Sequence, residues 1–222
     1  MGDQTIKKHL CATRVVASTF GVMVGLAGID HGIFEILRGH VRPETILIEA
    51  IGPAQRYWEY GTEPALTIIP SYLESGILSI LMGILVIIWS VAFIDRKYGA
   101  GILLLLCIIL FLVGGGFAPI FMTILASLAA TQINKPLSFW RRVLPDSVRR
   151  FLAKIWSGCL IAFVVLFLVS VEIAIFGWPL TSFMDAETAV NNLYTISYIM
   201  LGLMVLSVLA GFAFDIQHQT ET

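Results

Sequence analysis

The sequence predicts an all-α integral-membrane protein, a polytopic bundle of transmembrane helices that forms one domain over residues 1–222. Of the 222 residues, 58% are hydrophobic and only 13% are charged, whereas a soluble domain typically has about 25% charged residues. Several apolar runs are long enough to cross a hydrocarbon core of roughly 30 Å. The basic residues also concentrate in alternate loops, as the positive-inside rule describes. Together these observations indicate that lipid is the main solvent of the chain.

The apolar segments give the order of the spans. Residues 15–37, 65–94, 155–178 and 191–214 each predict one span. The first of these follows Lys7 and Lys8, but it exceeds a signal-peptide core and no small-residue cleavage site ends it, so we expect a retained helix. The stretch 98–133 predicts either one tilted helix or two short ones. Because Gly114–Gly116 is poor helix interior and Pro119 suits a helix start, two helices are favoured.

The distribution of basic residues separates six spans from five. With six spans and both termini in the cytoplasm, 11 of the 14 Lys and Arg residues fall inside and 3 outside, against 9 and 5 for five spans. The inner set is Lys7, Lys8, Arg14, Arg96, Lys97, Lys135, Arg141, Arg142, Arg149, Arg150 and Lys154. We therefore predict a multi-pass protein of the cell membrane with six spans, with five as the alternative.

Two polar segments between spans have their own predicted structure. Residues 40–64 predict a short helical cap on the outer face, with Pro43 opening one helix, Gly52-Pro53 breaking it and Gly61 ending a second; an ordinary loop is the alternative. The basic segment 135–154 predicts a short interfacial helix before Pro145. We expect its charges to contact anionic lipid headgroups.

Five ionisable residues lie within the predicted spans: Asp30, His31, Glu35, Glu74 and Glu172. At 1.5 Å per residue, His31, Glu74 and Glu172 lie roughly 9 to 13 Å below the outer ends of their helices. His31 and Glu35 are four residues apart and share a helix face, whereas Asp30 points to the other side. The sequence therefore predicts a polar cluster of His31, Glu35, Glu74 and Glu172, with Asp30 outside it.

This cluster suits two chemistries and one structural role. Imidazole and carboxylates of His31, Glu35 and Glu74 could bind a divalent metal such as Zn²⁺ or Mn²⁺. They could also relay protons, or they could form a structural network with Arg38 and nearby hydroxyl groups. The zinc-protease pattern H-E-x-x-H is absent. Haem is disfavoured because His31 is the single histidine within a predicted span.

A stripe of small residues predicts close helix contacts. Gly21, Gly25, Gly28 and Gly32 lie on one face of the first span, where another helix of this chain, or of a homo- or hetero-oligomer, could approach closely. Three separated cysteines predict no disulfide framework. The net charge of −1 gives no field that would recruit nucleic acid.

Three functions fit these features. A small transporter of a cation, a proton or a small solute is favoured, because interrupted helices often line binding sites, although no internal repeat is visible. The first alternative is a membrane-embedded enzyme acting on a lipid or lipid-linked substrate. The second is a non-catalytic accessory subunit of a membrane complex. Whether the chain is an enzyme at all is left open by the sequence.

Overall fold

A computed structural model describes residues 11–219 as seven α-helices with a small β-hairpin at one end. The elements are α1 (Ala12–Leu37), β1 (Leu47–Glu49), β2 (Pro64–Leu66), α2 (Tyr72–Ala92), α3 (Gly99–Leu112), α4 (Pro119–Ala130), α5 (Ser138–Val143), α6 (Asp146–Phe176) and α7 (Ala186–Gln219). Lys7 and Lys8, which the charge count places on the inner side, lie outside the described residues.

Four helices of the described part, α1, α2, α6 and α7, are long and apolar enough to cross a membrane. The helices α3 and α4 are equally apolar in character but shorter. Large aliphatic side chains such as Leu81 and Ile161 are 53% and 63% exposed on the outside of the bundle. An apolar outer surface of this kind is what lipid would cover, so the prediction of a helical membrane protein is supported at this level.

The apolar stretch 98–133 is divided into two helices, as the glycine run predicted. Helix α3 ends at Leu112, and α4 begins at Pro119, whose missing N–H costs nothing at the first helical position. Gly114 and Gly116 have φ angles of +107° and +84°. Only glycine adopts such angles without strain, which explains why the helix breaks here.

Helix α1 lies at the centre of the bundle and contacts α2, α4 and α7. Its inner half contributes Phe20, which is fully buried and meets the ring of Phe163 on α6 edge-on at 4.8 Å. Edge-on aromatic pairs of this kind add packing energy beyond the area they bury.

The glycine stripe of α1 is used for packing within the chain. A Cβ on Gly32 would lie 2.6 Å from the carbonyl oxygen of Gly76 on α2, and a Cβ on Gly25 would lie 2.6 Å from that of Gly83. The two backbones are therefore in direct contact, as small-residue helix pairs allow. An oligomer interface formed by this stripe would need the face of α1 that α2 and Leu110 of α3 already cover.

The helical cap predicted for residues 40–64 is not confirmed: apart from a 3₁₀ helix at Pro53–Gln55, this segment is non-helical and forms part of a β-hairpin. Strands β1 and β2 pair antiparallel, with Leu47 opposite Leu66 and Glu49 opposite Pro64. The β-branched residues around Ile48 favour strand over helix. The second span also starts later than predicted, at Tyr72 instead of residue 65, since residues 64–66 belong to the hairpin.

The segment after α4 contains the short helix expected before Pro145. This helix, α5, ends at Val143, and Pro145 precedes the long helix α6. Trp140 of α5 packs against Phe212 of α7, with the ring centroids 5.1 Å apart. The basic residues Arg141 and Arg142 lie in the last turn of α5, where they complement the negative end of the helix.

Candidate functional site

The C-terminal half of α1 carries two buried ionisable side chains under the turn that joins α3 to α4. His31 is 6% exposed and Glu35 is fully buried. A Cβ on Gly116 would lie 2.4 Å from Nε2 of His31, and one on Gly114 would lie 2.1 Å from a carboxyl oxygen of Glu35. The glycine turn therefore rests directly on both side chains. These are the two residues of the predicted cluster that share a helix face, and the turn contacts both.

The strand β2 brings a third ionisable residue, Glu63, to this place. Burial alternates along the strand, so that Glu63, Ala65 and Thr67 face inward while Pro64 and Ile68 face outward. The carbonyl of Pro64 accepts from the Phe117 N–H at 3.2 Å, which ties the strand to the glycine turn. This places Oε2 of Glu63 3.1 Å from Nε2 of His31.

Asp30 belongs to the same cluster, contrary to the sequence prediction. It is half-buried, and its carboxyl group interacts with the carboxyl group of Glu63 as well as with His31. The helical geometry correctly places Asp30 and Glu35 on different faces of α1. However, Glu63 comes from a different segment and lies between the two faces of α1, so it reaches both His31 and Asp30.

A cavity of about 280 Å³ opens beside His31 and Glu63. Its walls come from α1, β2 with its preceding loop, α6, α7 and the residue before α4, and they include Phe167, Ser170 and Tyr194. The wall is mostly apolar, with the polar groups gathered at His31 and Glu63. Pockets of this composition bind small ligands, since the few polar groups fix the orientation of an otherwise apolar guest.

Several polar atoms in the cavity wall have no hydrogen-bond partner within residues 11–219. They are Nδ1 of His31, Oγ1 of Thr62, Oγ of Ser170 and Oε2 of Glu63. The last of these lies 3.1 Å from Nε2 of His31, within ion-pair distance but outside hydrogen-bonding geometry. Buried polar groups in proteins are nearly always paired with another group or with water. Four such atoms around one cavity indicate that a polar guest or water completes their hydrogen bonding.

Glu63 is suited to exchange a proton near neutral pH. It lies in the connection between α1 and α2, outside the helical spans. Burial raises the pKa of its carboxyl group to about 7, an effect that the hydrogen-bonding contact with Asp30 partly offsets. Since burial disfavours the ionised form of a carboxyl group, the acid keeps its proton up to near-neutral pH, and a nearby positive charge promotes its release.

The other two residues of the predicted cluster lie apart from this cavity. Glu74 is 54% exposed at its side chain, and its carboxyl group lies 4.0 Å from Nδ1 of His40. Glu172 is half-buried on α6 and does not line the cavity. Helix α2 begins at Tyr72, so Glu74 lies in its first turn beside the outer surface instead of well below it.

The residues proposed as metal ligands, His31, Glu35 and Glu74, do not converge. Within the described residues, no group of three or more His, Cys, Asp or Glu side chains is arranged to hold a metal ion. The alternative chemistry, proton exchange between an imidazole and a carboxyl group, matches the contact between His31 and Glu63.

Glu63 is the candidate site residue that reasoning from the sequence missed. It was assigned to a helical cap outside the spans, where an acidic residue needs no explanation. Residues 63–68 alternate with period 2, which predicts a strand. The alternation puts Glu63 in register with Ala65 and Thr67 and opposite the more apolar Leu66 and Ile68, so the sequence gives no sign that the side carrying the acid is the buried one.

The comparisons with known proteins give no further guidance on this site. No family model, no curated protein and no solved structure matches the chain.

Proposed function

We propose that this chain is a six-span protein of the cell membrane that exchanges a small, partly apolar cation for a proton through the outward-facing cavity. The proposal includes α3 and α4 as the third and fourth spans and both termini in the cytoplasm. The charge count of 11 inner against 3 outer basic residues supports this topology. In this proposed topology the hairpin and the cavity lie on the outer side.

The observation that carries the proposal is the set of unpartnered polar atoms at the base of the cavity. Glu63 supplies a negative charge, and Thr62 and Ser170 supply oxygen atoms that can accept hydrogen bonds. A guest with a cationic, hydrogen-bond-donating head satisfies all three. Phe167 and Tyr194 add aromatic rings to the wall, and such rings attract cations and pack against apolar groups.

Proton exchange follows from competition at Glu63. A cation needs the ionised carboxylate, whereas the empty site favours the protonated acid because the group is buried. Binding one monovalent cation therefore releases one proton, and the exchange is electrically neutral. His31, 3.1 Å from Glu63, and Asp30, in hydrogen-bonding contact with it, are the neighbouring groups that can accept the released proton.

The turn between α3 and α4 supports a transport role. In the six-span topology it joins two separate spans, and a turn of this kind can change shape without unfolding the rest of the bundle. Here the turn at Gly114–Gly116 lies on His31, and the residue after Phe117 lines the cavity. A change of shape at the site can therefore displace α3 and α4 directly.

Proteoliposomes that contain a trapped pH-sensitive dye test this function. Benzylguanidinium is the probe, because it carries a fixed charge, several N–H donors and an apolar ring. Its addition outside should make the interior alkaline as protons leave in exchange. We expect the rate to increase about tenfold between pH 6 and pH 8, as Glu63 ionises around a pKa of about 7. Glu63→Gln should lower the rate more than tenfold and remove this pH dependence.

Two controls make the result specific. Glu74→Gln changes an exposed acid outside the cavity and should leave the rate unchanged. Benzenesulfonate has a similar ring with the opposite fixed charge and should produce no exchange. A folded wild-type protein that gives no pH change with benzylguanidinium, or a Glu63→Gln variant that retains the full rate, contradicts the proposal. Turnover of a lipid substrate would favour the enzyme alternative instead.

A further inference from the structure

Glu35 is a buried acid that the cavity chemistry does not use. Its side chain is fully excluded from solvent, and it does not line the cavity next to His31. Neither of its carboxyl oxygens has a hydrogen-bond partner within residues 11–219. A carboxylate held in this way is far less favourable than a neutral carboxylic acid, because nothing replaces the water that it loses.

The hydroxyl groups beside Glu35 have no hydrogen left to offer it. Glu35 lies next to Ser75, but the Ser75 hydroxyl donates to the carbonyl oxygen of Val113 at 2.9 Å. Thr67 Oγ1 lies 2.7 Å from Ser75 Oγ and accepts from the N–H of Ile69. Its own hydrogen therefore points to Ser75. A lone pair of Ser75 can accept from a protonated Glu35, whereas an ionised Glu35 would receive no hydrogen from Ser75.

The nearest cation is engaged elsewhere. Arg38, one turn further along α1, donates to the carbonyl oxygen of Glu49 at 2.6 Å. Its guanidinium group also stacks on the ring of Tyr72, 3.6 Å from the centroid. No ion pair joins Arg38 to Glu35 among the described residues. The charged and titratable groups nearest Glu35 are Arg38 and His31 on its own helix and Tyr72 on α2, while the α3–α4 turn contributes none.

We propose that Glu35 holds a second exchangeable proton, separate from the one at the His31–Glu63 pair, and that the Gly114–Gly116 turn responds to its loss. This inference rests on the proposed function, in which the cycle exchanges protons. The ligand of the site is a proton, held on the carboxyl group and shared with Ser75.

The contact with Gly114 explains how this proton is coupled to the shape of the protein. The turn lies so close to the carboxyl group that even a methyl group on Gly114 has no room. Loss of the proton leaves a carboxylate that needs a donor. Either Arg38 must leave Glu49 and Tyr72, or the turn must move to admit water. The same turn covers His31 through Gly116, so both proton sites act on one element.

Infrared difference spectroscopy of the purified protein in liposomes tests this site without any transport substrate. A titration from acidic to alkaline pH should show the carbonyl band of a buried carboxylic acid in the wild type. This band should be retained in Glu63→Gln, lost in Glu35→Gln, and unaffected in the exposed control Glu74→Gln. Ser75→Ala keeps the acid but removes its partner, so it should shift the band. This second variant keeps the test valid if Glu35→Gln does not fold.

Three outcomes would overturn the inference. The first is a band that survives unchanged in Glu35→Gln. The second is the absence of any acid band beyond that of Glu63. The third is a band that disappears when NaCl replaces choline chloride at fixed pH, since the site would then take Na⁺ in place of a proton. If the Glu35 band is present but the protein gives no cation exchange, the proton site stands and the proposed function is rejected.

Discussion

The two ends of α1 both hold a buried acid, and the two acids differ in their hydrogen bonding. At the start of α1, called the inner end after the proposed topology, Asp215 of α7 is 8% exposed and accepts the N–H groups of Ala12 and Thr13 at 2.7 and 2.9 Å. Helix α1 has no capping side chain of its own at this end. Asp215 therefore caps α1 from another helix. Near the end of α1, called the outer end after the proposed topology, Glu35 is fully buried, and neither of its carboxyl oxygens has a hydrogen-bond partner within residues 11–219.

Cys11 shows how complete the inner arrangement is. Its thiol donates to the Asp215 carboxylate at 3.3 Å, and burial, followed by the charge of Asp215, raises the pKa of the thiol to about 11. The thiol therefore stays protonated and acts as a third donor. The comparison teaches that burial alone does not mark a functional acid. An acid with all its partners in place stabilises the fold, whereas an acid without them has capacity left for a proton or a ligand.

The largest expected effect is at the inner end. Asp215→Ala should lower the free energy of unfolding by about 3 kcal/mol, because it removes a helix cap and leaves two buried N–H groups unpaired. Titration with a denaturing detergent in mixed micelles measures this change. The control is Asp146→Ala, since Asp146 is 73% exposed and bonds only to Arg149 one turn away. Equal effects at the two positions would show that Asp215 is not a structural cap.

The general architecture could be predicted from residue patterns that act locally. Long apolar runs require helices in lipid, and the glycines at 114–116 cannot continue a helix, so the break between α3 and α4 was predictable. The short helix before Pro145 was also predictable, because a proline disfavours helical conformation at the residue before it. Each of these features depends on neighbouring residues of one segment, and the structure confirms them.

The site was predictable only in part, because half of it depends on contacts between distant segments. His31 and Glu35 share a helix face, which the sequence shows. Glu63 arrives through a strand that pairs with β1 and with the glycine turn, and no local pattern gives that pairing. The fit of Asp215 to the start of α1 spans about 200 residues. Glu74 was misplaced because the predicted helix started several residues too early.

A smaller effect is expected in the turn that covers the outer acids. Gly116→Ala places a side chain on a backbone with φ of +84° and directs it at His31, which should cost about 2 kcal/mol of unfolding free energy. Gly158→Ala is the matched control, because a Cβ there meets open space within α6. Alanine is favoured over glycine inside a helix, so the control should be neutral or stabilising by up to about 1 kcal/mol. Similar losses in both variants would mean that the turn is not constrained.

The smallest effect tests the comparison most directly, because it makes the same kind of change at both ends of α1. Glu35→Gln and Asp215→Asn each replace a carboxyl group by an amide of nearly equal shape. At the inner end the amide can accept with one oxygen only, so one of the N–H groups of Ala12 and Thr13 loses its partner, and the loss should be about 1–2 kcal/mol. At the outer end no hydrogen bond is removed, and a neutral amide resembles a protonated acid. We therefore expect Glu35→Gln to change the free energy of unfolding by less than about 0.5 kcal/mol at neutral pH. A loss at Glu35 as large as that at Asp215 would mean that the outer carboxylate is ionised and structurally paired, and that the two ends of α1 are built alike.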